Sequence, residues 1–331
     1  MQRSFRNISV LVLVVLVALL PMVTTDYYSA LVVKIMIYAL FALSLQLLVG
    51  CTGLVSMGHA AFFGISAYAV TLLSPEYVAG NMLWLVPAAI GCAMVYALVT
   101  GALVLRTKGV YFIMVTLAFA QMAYYVFHDT KLGGGSDGIY LYVRPELRLG
   151  DWVLLDISNS YTFYLFTLAC LLFSWAFLAM LMRSRFGAAL TGIRVNEQRM
   201  RAAGFSTFGY KLTAYVVAAG FGGLAGLLYA AKDGYVNPEL MGWEQSGLVL
   251  FMVILGGVGR LWGAIIGAVG LILLQEFFQS SAIFGAFSIH WHLTFGLAII
   301  ALVAFMPNGL IGLTEQLRAR RNRATSSATA H

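Results

Sequence analysis

The chain has 331 residues, of which 61% are hydrophobic and only 10% are charged, and its formal net charge is +7. Soluble domains are typically about 45–50% apolar and about 25% charged, so this composition excludes a soluble globular enzyme. Apolar runs close to or above about 18 residues recur along the chain and leave no room for a separate globular domain. We therefore predict an all-α fold, a polytopic membrane helical bundle.

About ten transmembrane helices are predicted from the apolar runs. In chain order they cover residues 8–23, 29–49, 58–74, 82–105, 110–127, 161–182, 212–231, 245–259, 261–279 and 290–306. The first run resembles a signal peptide, but no convincing small-x-small cleavage site follows it, so we interpret residues 1–28 as an N-terminal transmembrane helix. The runs at 58–74 and 245–259 are short for a bilayer, which predicts broken or re-entrant Gly-rich helices buried in protein.

The distribution of charge predicts the orientation. If the N-terminus is cytoplasmic, the segments on that side carry fifteen Lys and Arg residues and two acids, and the opposite side carries four cations and ten acids. This bias is the one that the positive-inside rule describes, so both termini are predicted to face the cytoplasm, with a basic tail at 314–331. Lys34 and Glu276 remain within spans near the outer ends, and we interpret them as helix-end charges.

One cytoplasmic segment, residues 183–211, is unusually basic. It contains a single acid, Glu197, and six of the chain's twenty Lys and Arg residues, namely Arg183, Arg185, Arg194, Arg199, Arg201 and Lys211. Its composition predicts a helix of about five turns from Phe186 to Gly204. A positive-inside loop or an amphipathic helix on the membrane surface is the simplest explanation of these charges.

Glycine is abundant, with 34 residues, and two series recur at four-residue spacing. Small residues at this spacing allow helix backbones to approach closely in lipid. We therefore predict a helix-packing role for these glycines, which are Gly222 and Gly226 in one series and Gly259, Gly263 and Gly267 in the other.

The sequence contains no pattern that predicts catalysis, a bound cofactor or a metal site. It has no phosphate-binding G-x-x-x-x-G-K-[ST] motif, and its three cysteines, Cys51, Cys92 and Cys170, have no histidine at ligand spacing. We also expect no nucleic-acid partner, because the positive charge follows from the topology. If this chain moves a solute uphill, the energy must come from another protein, through a cytoplasmic surface.

Five stretches resemble the permease subunits of ABC importers for branched-chain amino acids, of the LivM type. They are GCTGLVSMGHAAFFGISAYAV (50–70), GGSDGI (134–139), FGAALTGIRVNEQRMRAAGFSTFGYKLTAYVVAAGFGGLAGLLYA (186–230), LGGVGRLWGAIIGA (255–268) and MPNGLIG (306–312). The resemblance covers about residues 30–313. Ser66 stands where the family often has glycine, and the segment from Gln198 to Gly204 departs from the family's EAA-like sequence.

The resemblance implies a transport subunit of the bacterial cytoplasmic (inner) membrane that is not itself an enzyme. Its partners would be a second homologous permease, two cytoplasmic ATPases that bind ATP, and an extracytoplasmic solute-binding protein. The solute would be a branched-chain or related small amino acid. Urea or a short amide is the alternative within the family, and a stand-alone facilitator or channel is the alternative outside it.

Two groups of candidate residues follow. Residues 29–313 would form the permease core, in which 183–211 is the coupling loop that contacts an ATPase through Arg194, Asn196, Glu197, Arg201 and Gly204. Near the translocation path we place a polar, Gly-punctuated stretch consisting of Gly53, Ser56, Met57, Gly58 and His59. Helix packing is the alternative role for this second group.

Overall fold

A computed structural model of the chain describes residues 14–75, 77–149, 152–280, 285, 290–306 and 309–312. Within these ranges the protein is a helical bundle with two short antiparallel pairs of β-strands. Its helices are α1 (residues 14–19), α2 (Asp26–Gln46), α3 (His59–Leu73), α4 (Met82–Val104), α5 (Val110–Asp129), α6 (Ser160–Arg183), α7 (Arg185–Val195), α8 (Glu197–Ala202), α9 (Thr207–Asp233), α10 (Trp243–Gly256), α11 (Leu261–Gln279) and α12 (Trp291–Phe305).

Among the described residues, six helices are long and apolar enough to cross a membrane. They are α2 together with the π-helical turn Leu47–Thr52 that extends it, α4, α5, α6, α9 and α11. Three further apolar helices, α3, α10 and α12, have 15, 14 and 15 residues. Nine of the predicted spans thus correspond to helices. Of the first, 8–23, residues 14–23 are described, and they consist of α1 followed by a 3-10 turn at Leu20–Met22.

Helices α2 and α9 form the centre of the bundle. In their most apolar windows 89% and 78% of the residues are buried, compared with 22–33% in α4, α5, α6 and α11. Close packing against α9 depends on glycine, because a β-carbon added at Gly226 would lie 1.9 Å from the carbonyl oxygen of Phe63. The α10–α11 contact has the same character, since a β-carbon at Gly267 would lie 1.8 Å from the carbonyl oxygen of Met252.

The loops that connect the helices lie at the two ends of the bundle and alternate between them, as the predicted topology requires. At the end that we call the basic end, the Glu197 carboxylate lies 3.8 Å from the Lys108 ammonium group. At the opposite end, strand β1 (Ile139–Tyr140) pairs antiparallel with β4 (Tyr235–Val236), and β2 (Leu147–Leu149) pairs antiparallel with β3 (Trp152–Leu155). Glu276 accepts a hydrogen bond from Tyr27 at this opposite end.

The basic segment differs from its prediction. A continuous helix from Phe186 to Gly204 was expected, but the segment consists of α7 and α8 with a break at Asn196. Asn196 has an extended backbone (φ −155°, ψ 99°), and its side chain accepts a hydrogen bond of 2.9 Å from the Arg199 amide. This is the geometry of an N-cap, which begins a new helix rather than continuing the old one. Helix α9 then begins at Thr207, within the predicted loop.

Candidate functional site

Helix α3 begins inside the bundle and not at its surface. After the π-helical turn that ends α2, residues 53–58 return along α2, and His59 at the start of α3 lies beside Ser44, with 2.7 Å between His59 Nε2 and Ser44 Oγ. Asp26–Thr52 spans roughly 40 Å at about 1.5 Å per residue. Ser44, beside which α3 starts, lies roughly 12 Å from the basic end of that helix, at Thr52, and roughly 27 Å from its other end, at Asp26.

Helix α10 begins at a similar depth and runs in the opposite direction. The Ala60 amide at the start of α3 donates a 3.0 Å hydrogen bond to Ser246 Oγ in the first turn of α10. Since a bilayer has a hydrocarbon core of about 30 Å, the two half-length helices start within the membrane-embedded depth of the bundle. Such discontinuous helices are typical of solute sites in transporters.

The polar stretch predicted near the translocation path lies at the start of α3 and is mostly enclosed. Ser56 and His59 are fully buried, and the His59 ring stacks on Phe41 with 5.6 Å between ring centroids. The Met57 amide donates a hydrogen bond of 3.2 Å to Thr116 Oγ1 on α5, and a β-carbon at Gly58 would lie 2.3 Å from the Thr116 carbonyl oxygen. Gly53 is exposed, in the turn that follows α2, with a φ of +75°. The stretch therefore connects α2, α3 and α5.

A polar cleft opens to the outside of the subunit near the start of α10. Its volume is about 380 Å³, and it is lined by Gln121, Tyr124 and Tyr125 of α5 and by Glu239, Gly242, Trp243, Glu244 and Gln245. Gln245 is held from inside by Tyr38, whose hydroxyl donates to Gln245 Oε1 at 3.3 Å. Among the described residues, no ion pair includes Glu239 or Glu244.

Sequence reasoning missed this cleft. The sequence places Glu239 and Glu244 among the ten acids of the outer side, because the apolar run that predicts this span begins at residue 245. The available signal was the short length of that run, which places the residues just before it at depth. Within the described ranges, no three His, Cys, Asp or Glu side chains lie close enough together to hold a metal ion.

At the basic end, the Arg194 side chain reaches toward the body of the bundle, although the residue as a whole is exposed. Its guanidinium group donates a hydrogen bond to the carbonyl oxygen of Gly50 in the π-helical turn. A β-carbon added at Gly259 would lie 3.4 Å from Arg194 Nη1, and one added at Gly53 would lie 3.3 Å from Arg194 Cγ. The side chain thus lies between the turn that ends α2 and the turn that joins α10 to α11.

Glu197 is the centre of an ionic network within the subunit. Its carboxylate accepts hydrogen bonds from Lys211 at 2.7 Å, from Arg201 and from Thr207 at 3.2 Å, with Lys108 close by. Burial of the carboxylate raises its pKa, but the hydrogen bond and charge of Lys211, together with Arg201 and Lys108, outweigh that effect and lower the pKa of Glu197 to about 2. The network joins α8 to the base of α9 and to the α4–α5 loop.

The exposed side of the basic segment is a groove at the bend between α7 and α8. We call it the α7–α8 groove; its volume is about 510 Å³, and it is lined by Ala188, Thr191, Gly192, Val195, Asn196, Arg199 and Met200. Of the residues predicted to contact an ATPase, Asn196 lines this groove, while Arg194 and Glu197 bind the subunit's own body. Arg201 binds Glu197, and Gly204 ends the α8 turn with a φ of +87°.

Comparison with known proteins shows that the sequence of this chain is similar to those of transport proteins. Residues 27–304 match the model of the family described as the permease component of branched-chain amino acid transport systems. The chain is 32% identical to the high-affinity branched-chain amino acid transport system permease protein LivM of Salmonella typhimurium, with 87% of this chain and 71% of that protein covered. The LivM protein of Escherichia coli is 31% identical with the same coverage.

A second kind of permease also matches. The chain is 26% identical to the high-affinity branched-chain amino acid transport system permease protein LivH of Salmonella typhimurium, over 84% of this chain and 92% of that protein. No solved structure matches the chain.

Proposed function

The chain belongs to the family of permease components of branched-chain amino acid transport systems, and we propose that it forms one half of the pore of an ATP-driven importer for branched-chain amino acids. It is a multi-pass protein of the cytoplasmic membrane. The other half would be a second permease of the same fold, and the similarity of this chain to both LivM and LivH supports such a pair.

The polar cleft beside α10 is the observation that carries this proposal. It places two carboxylates, Glu239 and Glu244, on the outside of the subunit near the start of α10, which lies at membrane depth. Among the described residues neither carboxylate forms an ion pair, and Glu239 accepts a hydrogen bond of 3.2 Å from the Asn237 side-chain amide. A charged side chain that faces lipid at the centre of a bilayer costs about 2.5–3.5 kcal/mol even on the mildest scale, so carboxylates within the membrane are rarely exposed to lipid. The cleft must therefore be covered by protein or face water, and a solute path between two permeases would satisfy both conditions.

The energy for transport would be supplied by cytoplasmic ATPases, which bind ATP and dock on the α7–α8 groove. Support comes from the exposure of Val195 (78%) and of Asn196 and Arg199 at the groove. In this proposal Glu197, Arg201 and Gly204 shape the docking surface from within, because the two charged side chains bind each other and the glycine ends α8. An extracytoplasmic solute-binding protein would deliver the solute at the opposite end.

We propose that the stretch from Gly53 to His59 does not line the solute path but positions the helices that form its wall. Ser56, Met57, Gly58 and His59 hold the start of α3 against α2 and α5. Because α3 and α10 are joined where they begin, a displacement of this stretch would move the wall of the cleft. The residues would thus affect the solute through the position of the half-length helices.

Reconstitution tests the proposal. Proteoliposomes that contain this chain, the second permease and both ATPases, with the solute-binding protein outside and ATP inside, are expected to accumulate L-leucine against its gradient. Uptake of urea or acetamide instead of L-leucine would favour the alternative substrates of the family. Downhill uptake by this chain alone, without ATPases, would show a facilitator and contradict the proposal.

A further inference from the structure

The side chain of Arg194 has different contacts from those of Arg199, Arg201 and Lys211, which lie in the same basic segment. Arg201 and Lys211 bind Glu197 within the local ionic network, and Arg199 lines the exposed α7–α8 groove. Arg194 instead reaches a backbone carbonyl 144 positions earlier in the chain. It is therefore connected to a different part of the bundle from its neighbours.

The acceptor of this hydrogen bond lies at the end of a helix. Gly50 is in the π-helical turn that ends α2, and the amides of Gly53 and Leu54 both donate to Leu48. Carbonyl groups at a helix C-terminus lack helical partners and lie at the negative end of the helix dipole. A guanidinium group is well matched to such a carbonyl, because it is always charged and donates in fixed directions.

The same helix end is tied to the turn between α10 and α11. The Gln46 side-chain amide donates to the carbonyl oxygens of Gly257 at 3.3 Å and Arg260 at 3.0 Å, and Arg194 passes close to Gly259 in that turn. The turn follows the last residue of α10, and the end of α2 leads directly into the stretch that precedes α3. Arg194 therefore contacts the end of α2, which leads into α3, and the turn that follows α10.

We propose that Arg194 is a positioning residue that transmits the movement of α7 to the two half-length helices at the cleft, rather than a residue that binds the ATPase. This inference rests on the proposed function. When an ATPase docked on the α7–α8 groove moves α7, the guanidinium group carries that displacement to Gly50 and to the α10–α11 turn. The starts of α3 and α10, joined by Ser246, then move together.

The test uses the complete transporter and separates docking from transmission. Three quantities are measured: co-purification of the ATPase, ATP hydrolysis, and L-leucine taken up per ATP hydrolysed. Arg194→Met keeps much of the side-chain volume but removes every donor, and Arg194→Lys keeps one charged donor. Arg199→Met is the matched control, because Arg199 lies on the same segment but lines the groove.

We expect Arg194→Met to retain the ATPase and its hydrolysis while lowering L-leucine uptake per ATP about tenfold, as loss of one charge-assisted hydrogen bond predicts. Arg194→Lys should recover part of that ratio, and Arg199→Met should weaken ATPase co-purification instead. If Arg194→Met loses the ATPase, or keeps the wild-type ratio, the inference is wrong. Should Arg194→Met fail to fold, an unchanged ratio in Arg194→Lys overturns it.

These outcomes are distinct from failure of the proposed function. If the wild-type complex does not accumulate L-leucine with ATP, the proposed function fails before any variant is compared. If the wild-type complex does accumulate it, the variants test Arg194 alone. Size-exclusion chromatography of each variant confirms that the protein is folded before the ratio is measured.

Discussion

The amide of Ala60 donates a 3.0 Å hydrogen bond to the hydroxyl of Ser246. These residues belong to the first turns of α3 and α10, which begin at a common depth and run apart. The first amides of a helix have no partner within the helix, and for the Ala60 amide the Ser246 hydroxyl is the acceptor. The start of α3 thus depends on a side chain of α10.

Substitution of Ser246 tests this dependence. Ser246→Ala leaves the buried Ala60 amide without an acceptor, which costs about 1–3 kcal/mol, so we expect a lower unfolding temperature in detergent and lower uptake. Thr213→Ala is the control, because the exposed Thr213 hydroxyl donates to the Gly209 carbonyl of its own helix and has no other hydrogen bond among the described residues. Equal thermal stability of the two variants would contradict the role given to Ser246.

Close helix packing predicts that alanine substitutions at two glycines will differ sharply in their effect on the yield of folded protein. Gly226→Ala places a methyl group 1.9 Å from the carbonyl oxygen of Phe63, whereas a β-carbon at Gly247 has no neighbour within 4 Å. Because backbone atoms cannot move aside without shifting a helix, Gly226→Ala should reduce the yield of folded protein strongly. Gly247→Ala should behave as wild type or be slightly more stable. Fluorescence-detected size-exclusion chromatography measures both.

The ionic network around Glu197 predicts that replacing this carboxylate lowers the stability of the protein, and that the loss is seen only within a defined pH range. Glu197→Gln leaves the largely buried Lys211 without its carboxylate, which should cost about 1–3 kcal/mol. Lys211→Met combined with Glu197→Gln should recover part of that loss, because it removes the unpaired charge. A double variant that is less stable than Glu197→Gln would contradict the pairing.

The sign of the pH effect follows from the lowered pKa. Glu197 has a pKa of about 2 in the folded protein, below the ordinary value of 4.5. Its contribution to stability is therefore complete above pH 4.5 and is lost as the pH falls from 4.5 towards 2. Thermal unfolding of the wild type relative to Glu197→Gln should show a constant difference between pH 5 and 8, and a shrinking one in acid.

The cleft predicts which carboxylates affect transport. Glu239→Gln and Glu244→Gln remove the charges that would face the ammonium group of an amino acid, so L-leucine uptake should fall while ATPase association is retained. Glu276→Gln is the control, since Glu276 lies outside the cleft and accepts a hydrogen bond from Tyr27 at the end of the bundle opposite to the basic end. Wild-type uptake by a Glu239→Gln/Glu244→Gln variant would exclude these carboxylates from the path.

The orientation of the chain is tested by labelling single cysteines after Cys51, Cys92 and Cys170 have been replaced. Gln198→Cys is exposed at the basic end, and Tyr142→Cys, at a position 66% exposed, lies at the opposite end. A membrane-impermeant maleimide applied to intact cells should label residue 142 and spare residue 198. The reverse result would invert the predicted topology.

The helical bundle was predictable because the apolar runs are long and the charges between them strongly biased. The break at Asn196 was not, because the capping of α8 depends on the geometry of one side chain within a segment of good helix formers. The direction in which the Arg194 side chain points could not be predicted from the sequence either. Its acceptor, Gly50, is brought near only when α2, α7 and the α10–α11 turn are packed together.

The candidate site shows the same limit. The sequence singled out Ser56 and His59 because they are polar within an apolar run, and the structure places both in the closed interior. It overlooked Glu239 and Glu244 because they flank the run that becomes α10. Their depth depends on where that short helix starts relative to α2, which is a property of the packed bundle.

The central position of α2 has a consequence for how the protein is made. The helix is complete at Thr52, but α9, against which much of its surface packs, is complete only at Asp233. At about 5–20 residues per second, a ribosome needs roughly 10–40 s to add the residues between these points. During that interval the side chains that end up innermost must face lipid or the insertion machinery. Because α2 is long and apolar enough to cross a bilayer by itself, it can remain there until the helices that enclose it have been synthesised.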